Sequence, residues 1–139
     1  MKPLLINTRP RLAATRCTEL LQKAEETAKM GSWHWDVATD NVWWSPQLFE
    51  LFGLPPADQA PDFAVQDKLY TKESFEKLTE QVQKTVQTGE SYSVKLTGVC
   101  ADGRQFPCIA SGKADRNQNG EVFQLYGSLQ NIEDFEADS

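Results

Sequence analysis

Histidine is nearly absent from this sequence, and His34 is the single example in 139 residues. A lone imidazole cannot build a metal site, and no recognisable cysteine or serine nucleophile accompanies it. The sequence also has no Gly-x-Ser-x-Gly motif, no phosphate-binding P-loop and no dinucleotide fingerprint. These absences predict that the chain is not an enzyme and that His34 is a surface or hydrogen-bonded side chain.

Cysteine is also sparse, with only Cys17, Cys100 and Cys108. An odd number of cysteines without Cys-x-x-Cys spacing argues against a disulfide framework and against a zinc site. We therefore expect reduced thiols that lie in the core.

Long apolar runs are missing as well. The early stretch Leu4-Leu5-Ile6 is too short for a signal peptide, and Arg9 and Arg11 follow it closely. No segment is suited to span a membrane, so the sequence predicts a cytoplasmic protein without a membrane partner.

The formal charge of −6 is unevenly distributed. Residues 1–31 carry six basic and three acidic side chains, a net charge of +3, which leaves −9 on the remainder. An acidic body repels phosphate backbones, and no stripe of lysine or arginine is interleaved with aromatic residues, so we expect no nucleic-acid partner. With 40% apolar and 24% charged residues, the composition is that of one globular domain.

All four tryptophans lie within twelve positions, as Trp33, Trp35 and the pair Trp43-Trp44. On a strand, Trp33 and Trp35 share one face, which predicts that this face is buried. Residues 39–41 have turn chemistry, so the segment predicts a β-hairpin. Ser45 with Pro46 then favours the start of a helix.

A helical pattern precedes the hairpin, from about Thr8 to Met30. Its small and apolar positions at Ala13, Cys17, Leu20 and Ala24 are spaced alternately by four and three, which is typical of an amphipathic helix. This seam needs a partner surface, either the body of the same chain or the same helix of a second chain. Both alternatives are open, and the four residues are the candidate homodimer interface.

Two further helices and a short helical turn are expected after the hairpin. Residues 46–53 form a short helix with a core face at Leu48, Phe49 and Phe52, and one or two turns follow near residues 63–69. The longest helix is predicted from about Lys72 to Thr88, where apolar residues recur every three or four positions and Gly89 follows.

The last third alternates as three β-strands. Asp102-Gly103 joins the first two, and this dipeptide favours a type I′ turn. Pro107 is expected at a sheet edge or a bulge. The third strand places Phe123, Leu125, Gly127 and Leu129 on one face.

In this order the elements resemble the PAS sensor family, in the subgroup marked by Gly-x-Trp-x-Trp-Asp in the first strand. The resemblance covers about residues 24–134. The matching residues are Gly31, Trp33, Trp35, Asp36, Thr39, Trp44-Ser45, Phe52-Gly53, Asp102-Gly103, Gly120 and Gly127. It implies an α+β fold, a five-stranded antiparallel sheet with a helical cassette, and a sensory or dimerisation role in kinases, cyclases, chemoreceptors and regulators.

The chain also departs from the family pattern. It has Asn131-Ile132-Glu133 where the family often has Asp-Ile-Thr, and Tyr70-Thr71-Lys72-Glu73 where His-Pro-x-Asp is common. Haem-binding members supply a histidine from the long helix, and flavin photosensors carry an Asn-Cys-Arg-Phe-Leu stretch. Both features are missing, so neither haem nor covalent flavin is expected.

The resemblance divides the chain into an N-terminal tail and helix (1–30), a PAS domain (31–134) and a short tail (135–139). Two functions remain open. In the first, the domain is a bacterial-type sensor that binds a small apolar ligand and regulates a histidine kinase, a cyclase or another effector. In the second, it is a ligand-free dimerisation or protein-interaction module with a filled core. The candidate ligand pocket is lined by Trp44, Phe52, Leu69, Leu78, Leu96, Cys108 and Leu125.

Overall fold

The computed structural model describes residues 19–57 and 60–134. Within them, residues 19–28 are helical and are called α1. The remaining elements are β1 (Met30–Asp36), β2 (Asn41–Trp44), α2 (Pro46–Leu51), a 3₁₀ helix (Phe63–Leu69), α3 (Lys72–Thr88), β3 (Tyr92–Val99), β4 (Gln105–Arg116) and β5 (Val122–Asn131). No helix in the described part of the chain is long and apolar enough to cross a membrane.

The five strands form one sheet in the order β2-β1-β5-β4-β3. Every neighbouring pair is antiparallel, so the predicted α+β fold with a five-stranded antiparallel sheet is confirmed. Helices α2 and α3 contact one face of this sheet, and we call that face the inner face. Because β1 lies between β2 and β5, the first and last strands of the domain are hydrogen-bonded neighbours.

The predicted hairpin of β1 and β2 is present, with Trp33 opposite Trp44. Asp36 begins its turn: the backbone N–H of Thr39 donates to Asp36 Oδ1 at 3.1 Å. This hydrogen bond holds the pKa of the Asp36 carboxyl below its usual value. The turn is closed on the other side by Trp35, whose Nε1 donates to Asp40 Oδ1 at 2.8 Å.

Helix α2 packs its predicted core face against the sheet, with Leu48, Phe49 and Phe52 all buried. Ser45 is the N-cap and Pro46 follows it, as predicted, but the Ser45 side chain makes no capping hydrogen bond. Helix α3 is capped by Thr71, whose side chain accepts from Ser74 N, and it ends at Gly89 with a φ of 76°.

The Asp102-Gly103 hairpin forms, but the predicted type I′ turn is wrong. Gly103 has a φ of 91°, whereas Asp102 does not have a positive φ. Gly103 N donates to Cys100 O, and Cys100 N donates to Arg104 O, so the loop contains three residues, 101–103. Three-residue hairpin loops combine a type I turn with one glycine of positive φ, which explains why Asp102 keeps an ordinary conformation.

Pro107 does not lie on an edge strand, because β4 is flanked by β5 and β3. Pro107 pairs with Thr97 on β3. Its carbonyl oxygen accepts from the backbone N–H of Ile132 at 3.0 Å, and Ile132 lies just beyond the end of β5. The missing N–H of Pro107 therefore faces the side on which the ladder to β5 has already ended, and no strand hydrogen bond is lost there.

Phe123 does not share the inner face with Leu125, and that prediction is wrong. Arg116 pairs with Val122 and Asp115 pairs with Gln124, so Phe123 is the extra residue of a β-bulge. A bulge changes the side of the sheet on which the following residues lie. The Phe123 ring is consequently exposed, while Leu125 is buried.

A side chain at residue 31 would collide with α2, because an ideal Cβ on Gly31 would lie 2.5 Å from the Cα of Leu48. We expect Gly31→Ala to lower the free energy of unfolding by about 1–3 kcal/mol. Chemical denaturation followed by tryptophan fluorescence measures the loss. Ser93→Ala, at an exposed position of β3, is the control; equal stability of the two variants would contradict the close packing of β1 on α2.

Candidate functional site

A cavity lies between the inner face of the sheet and the helices. The centre of a water-sized sphere can occupy about 50 Å³ of it. Its walls come from all five strands, from both described α-helices of the cassette and from the 3₁₀ helix. The lining residues are Trp33, Trp35, Val42, Trp44, Leu48, Phe63, Gln66, Tyr70, Leu78, Val82, Tyr92, Ala110, Leu125 and Leu129.

One row of residues across the sheet contains two adjacent glycines, and the other three members of this row, Trp33, Trp44 and Tyr92, line the cavity. Trp33 is paired with Gly127, Gly127 with Gly112, and Gly112 with Tyr92. Trp44 extends the row on the other side of Trp33. Large rings therefore stand at both ends of the row, the two glycines add no side chain between them, and the ring of Tyr92 lies over Gly112.

The lining is mostly aromatic and aliphatic, and none of the described side chains in it carries a formal charge. Gln66 supplies the amide, and its Nε2 donates to the carbonyl of Pro61 at 2.9 Å. Tyr70 and Tyr92 supply two phenol groups, both from buried residues. A lining of this kind suits a neutral and mostly apolar molecule.

Burial keeps the phenols of this region in their neutral form. Removal from water raises the pKa of Tyr92, and it raises that of Tyr70 further, with additional contributions from Cys108 and Tyr92. Burial also raises the pKa of the Cys108 thiol to about 12. At neutral pH these groups are therefore uncharged, and the two tyrosines can act as hydrogen-bond donors.

Three of the seven residues predicted for the pocket line the cavity: Trp44, Leu78 and Leu125. The other four are buried core residues outside the lining: Phe52, Leu69, Leu96 and Cys108. Phe52 shows the difference, since its ring is 5.5 Å from that of Trp44 and 5.6 Å from that of Phe106. It is enclosed by other rings, so it packs in the solid part of the core.

Sequence reasoning did not place four important lining residues in the pocket: Trp33, Trp35, Gln66 and Tyr92. The tryptophans were visible through their shared strand face, and Tyr92 through the alternation of its strand. Gln66 gave no signal, because a glutamine in a short helical turn is ordinarily exposed.

Of the candidate dimer interface, Ala13 and Cys17 lie outside the described residues. Leu20 and Ala24 are exposed on α1, and Leu20 is 59% exposed. The neighbouring Leu21 is 58% exposed. The apolar side of the described part of α1 therefore does not pack on the body of its own chain.

Helix α1 instead contacts the sheet through a carboxylate, because Glu25 is only 3% exposed. The hydroxyl of Ser32 donates to Glu25 Oε2 at 2.9 Å, and that of Ser45 donates to the same oxygen at 3.0 Å. Ser45 Oγ also accepts from Ser32 N at 3.0 Å. Ser32 precedes Trp33 and Ser45 follows Trp44, so this network lies directly beside two walls of the cavity.

On the opposite, outer face of the sheet, His34 is hydrogen-bonded as predicted, with 2.7 Å between its Nε2 and Gln124 Oε1. Cys100 and Cys108 are free and buried, and Cys17 lies outside the described residues. Among residues 19–57 and 60–134, no group of three or more histidine, cysteine, aspartate or glutamate side chains is placed to hold a metal ion.

A model of the family described as the PAS fold matches residues 41–129. The chain therefore belongs to the PAS fold family, in agreement with the resemblance in its sequence. No curated protein sequence matches the chain.

Solved structures show the same fold at low sequence identity. A sensory box histidine kinase/response regulator from Burkholderia thailandensis is 20% identical with a TM-score of 0.66, over 85% of this chain and 88% of that one. The N-terminal domain of a diguanylate cyclase with PAS/PAC sensor from Marinobacter aquaeolei is 18% identical with a TM-score of 0.68, over 77% and 98%. The PAS domain of the fruit-fly ELK potassium channel is 14% identical with a TM-score of 0.60, over 84% and 97%.

The carboxylate of Glu25 should be needed to hold α1 against the sheet. We expect Glu25→Leu to reduce the free energy of unfolding by about 1–3 kcal/mol, because it leaves the buried hydroxyl of Ser45 and the partly buried hydroxyl of Ser32 without their acceptor. Glu25→Gln keeps one acceptor oxygen and should lose less. Glu26→Leu, at an exposed position of the same helix, is the matched control for thermal or urea unfolding. If Glu25→Leu and Glu26→Leu unfold alike, the network does not stabilise the fold.

Proposed function

We propose that this chain is a sensory signal-transduction domain that binds a small, predominantly apolar ligand in the cavity between its sheet and its helices. The observation that carries the proposal is the uncharged aromatic and aliphatic lining around unfilled space. Membership of the PAS fold family supports a sensory role, and two similar structures come from a histidine kinase/response regulator and a diguanylate cyclase. A histidine kinase, a cyclase or another effector domain is accordingly the proposed output.

The lining also limits the charge of the ligand. Burying an unpaired charge in such surroundings costs several kcal/mol or more, and among the described residues no basic side chain lines the cavity to compensate an anion. We therefore propose a ligand that is uncharged when bound.

The volume limits the size of the ligand. An engineered cavity of about 150 Å³ holds one benzene molecule in another protein, whereas the space here is about 50 Å³, so a single ring enters only when lining side chains move outward. Haem and flavin are far larger than either volume. In addition, α3 contains no histidine, and Cys100 and Cys108 are not lining residues. We therefore propose that neither haem nor a covalently bound flavin occupies this domain.

The small volume also supports a second candidate function, a ligand-free interaction module. Phe52 contacts Trp44, Tyr70 and Phe106 through its ring, so a large part of the core is filled with aromatic side chains. A module of this kind would transmit changes between partners without a ligand of its own. Native against denaturing mass spectrometry of the purified protein distinguishes the two functions, since a co-purified molecule appears only in the native spectrum.

Two tryptophan substitutions test the cavity itself. Leu78 lines the cavity and Leu96 lies in the filled core. We expect Leu96→Trp to cost about 1–3 kcal/mol of stability through overpacking, and Leu78→Trp to cost clearly less because its added ring enters unfilled space. Thermal melts of both variants give the comparison. Equal, strong destabilisation with no co-purified compound would overturn the sensor proposal in favour of the interaction module.

We further propose that the domain forms a homodimer through α1. Leu20 and Leu21 are large apolar side chains exposed on this helix, and Ala24 one turn beyond Leu20 is exposed as well. Packing two such helices against each other would remove this apolar surface from water. The buried Glu25 meanwhile fixes each helix to its own sheet.

A charge in the seam should separate the dimer. We expect Leu20→Asp to produce a monomer in size-exclusion chromatography with light scattering, because two carboxylates would face each other across an apolar contact. Gln22→Asp adds the same charge on another side of α1 and should leave the dimer intact. If the unmodified protein is already monomeric at high concentration, the dimer proposal is wrong.

A further inference from the structure

Three polar side chains interrupt the apolar lining of the cavity, and all three are more than nine-tenths buried. Gln66 is 6% exposed, and Tyr70 and Tyr92 are each 8% exposed. They come from the 3₁₀ helix, from the segment before α3 and from β3, so the fold brings them together from separate parts of the chain.

These side chains keep hydrogen-bonding capacity that the protein does not use. Gln66 Nε2 donates to Pro61 O, but within the described residues no hydrogen bond ends at Gln66 Oε1 or at either tyrosine hydroxyl. Every fully enclosed side-chain nitrogen or oxygen among those residues does have a partner. The three atoms are therefore not fully enclosed, and the cavity is a space that all three residues line.

The position of the Tyr92 hydroxyl follows from Gly112. An ideal Cβ on Gly112 would lie 2.9 Å from the Tyr92 hydroxyl oxygen and 2.7 Å from the ring carbon that bears it. The ring therefore extends from β3 across β4, and its hydroxyl lies over the glycine-rich middle of the sheet. An alanine at residue 112 would leave no room for it there.

A single ligand group satisfies this set of atoms. The tyrosine hydroxyls are protonated at neutral pH, so they donate readily, whereas Gln66 Oε1 can only accept. A hydroxyl group does both, because it accepts from a phenol and donates to an amide oxygen. A carboxylate could not donate to Gln66, and a hydrocarbon would leave all three atoms unpaired.

We infer that the ligand of this domain is a neutral, compact apolar molecule that carries one hydroxyl group, held by Gln66, Tyr70 and Tyr92. The inference rests on the proposed sensor function and specifies its ligand class. Trp35 and Phe63 are only partly buried, with ring centroids 6.2 Å apart, so these two lining side chains have room to move outward around a bound ring.

Phenol and toluene are matched probes, because they differ in shape only by the exchange of a hydroxyl for a methyl group. Amide chemical shifts in NMR titrations give the dissociation constant of each. In the unmodified protein, hydrogen bonds strengthen the binding of phenol but not that of toluene. They therefore increase the ratio of the toluene dissociation constant to the phenol dissociation constant. We expect this ratio to fall about tenfold in the double variant Tyr70→Phe, Tyr92→Phe. Tyr126→Phe, on the exposed outer face, is the control and should leave the ratio unchanged.

The stability of the double variant provides a second readout. Since the two hydroxyls have no partner among residues 19–57 and 60–134, their removal should leave the melting temperature unchanged or raise it, whereas a purely structural role would lower it. If both probes bind and their ratio is the same in the unmodified protein and the double variant, the inference fails and the apolar-ligand sensor stands. If the unmodified protein binds neither probe, the inference and the proposed function fail together.

Discussion

The pairing of β1 with β5 is the constraint on which the rest of this structure depends. It places Trp33 beside Gly127, and β5 in turn places Gly127 beside Gly112. Only a sheet that brings its first and last strands together can align these residues in one row. The same row shapes the interior, because its two glycines carry no side chain and the ring of Tyr92 lies over Gly112. A one-residue shift in the register of either glycine strand would turn side chains of the outer face onto that row, Tyr126 or Ser128 from β5 and Ser111 or Lys113 from β4.

The row also explains why α1 is connected to the interior although its apolar side faces solvent. Ser32 and Ser45 are sequence neighbours of Trp33 and Trp44, and both hydroxyls donate to Glu25. A displacement of Trp33 or Trp44 would also move the adjacent backbone of Ser32 or Ser45, and with it the hydroxyl that donates to Glu25. Because a buried carboxylate that loses its donors is costly, the position of α1 is tied to the walls of the cavity. Apolar contacts alone would also hold α1 against the sheet. They are non-directional, however, so they would fix its position less strictly than the hydrogen bonds of Glu25 do.

The parts of the fold that follow from local patterns could be predicted from the sequence, and those set by distant contacts could not. Alternation and turn chemistry located the hairpin of β1 and β2, and the three-four spacing located α3. Phe123 was misplaced because its bulge depends on the register with β4. Glu25 belongs to a helix with many charged residues, and its burial depends on two serines that only the folded chain brings near. For the pocket, periodicity shows that Leu78 and Leu96 both face inward, but it cannot show that only Leu78 borders unfilled space.

The cavity lowers the folding stability of a domain of this size only slightly. At roughly 24 cal/mol for each Å³ of cavity, about 50 Å³ of unfilled space costs on the order of 1 kcal/mol. That is small beside the roughly 5–15 kcal/mol by which ordinary domains are stable. A molecule that fills the space restores the lost dispersion contacts, and one that also pairs the free hydroxyls and Gln66 Oε1 regains hydrogen bonds that the empty domain lacks. Occupancy of the cavity is therefore coupled to the stability of the walls that Trp33, Trp44 and Tyr92 form, and through Glu25 to the placement of α1.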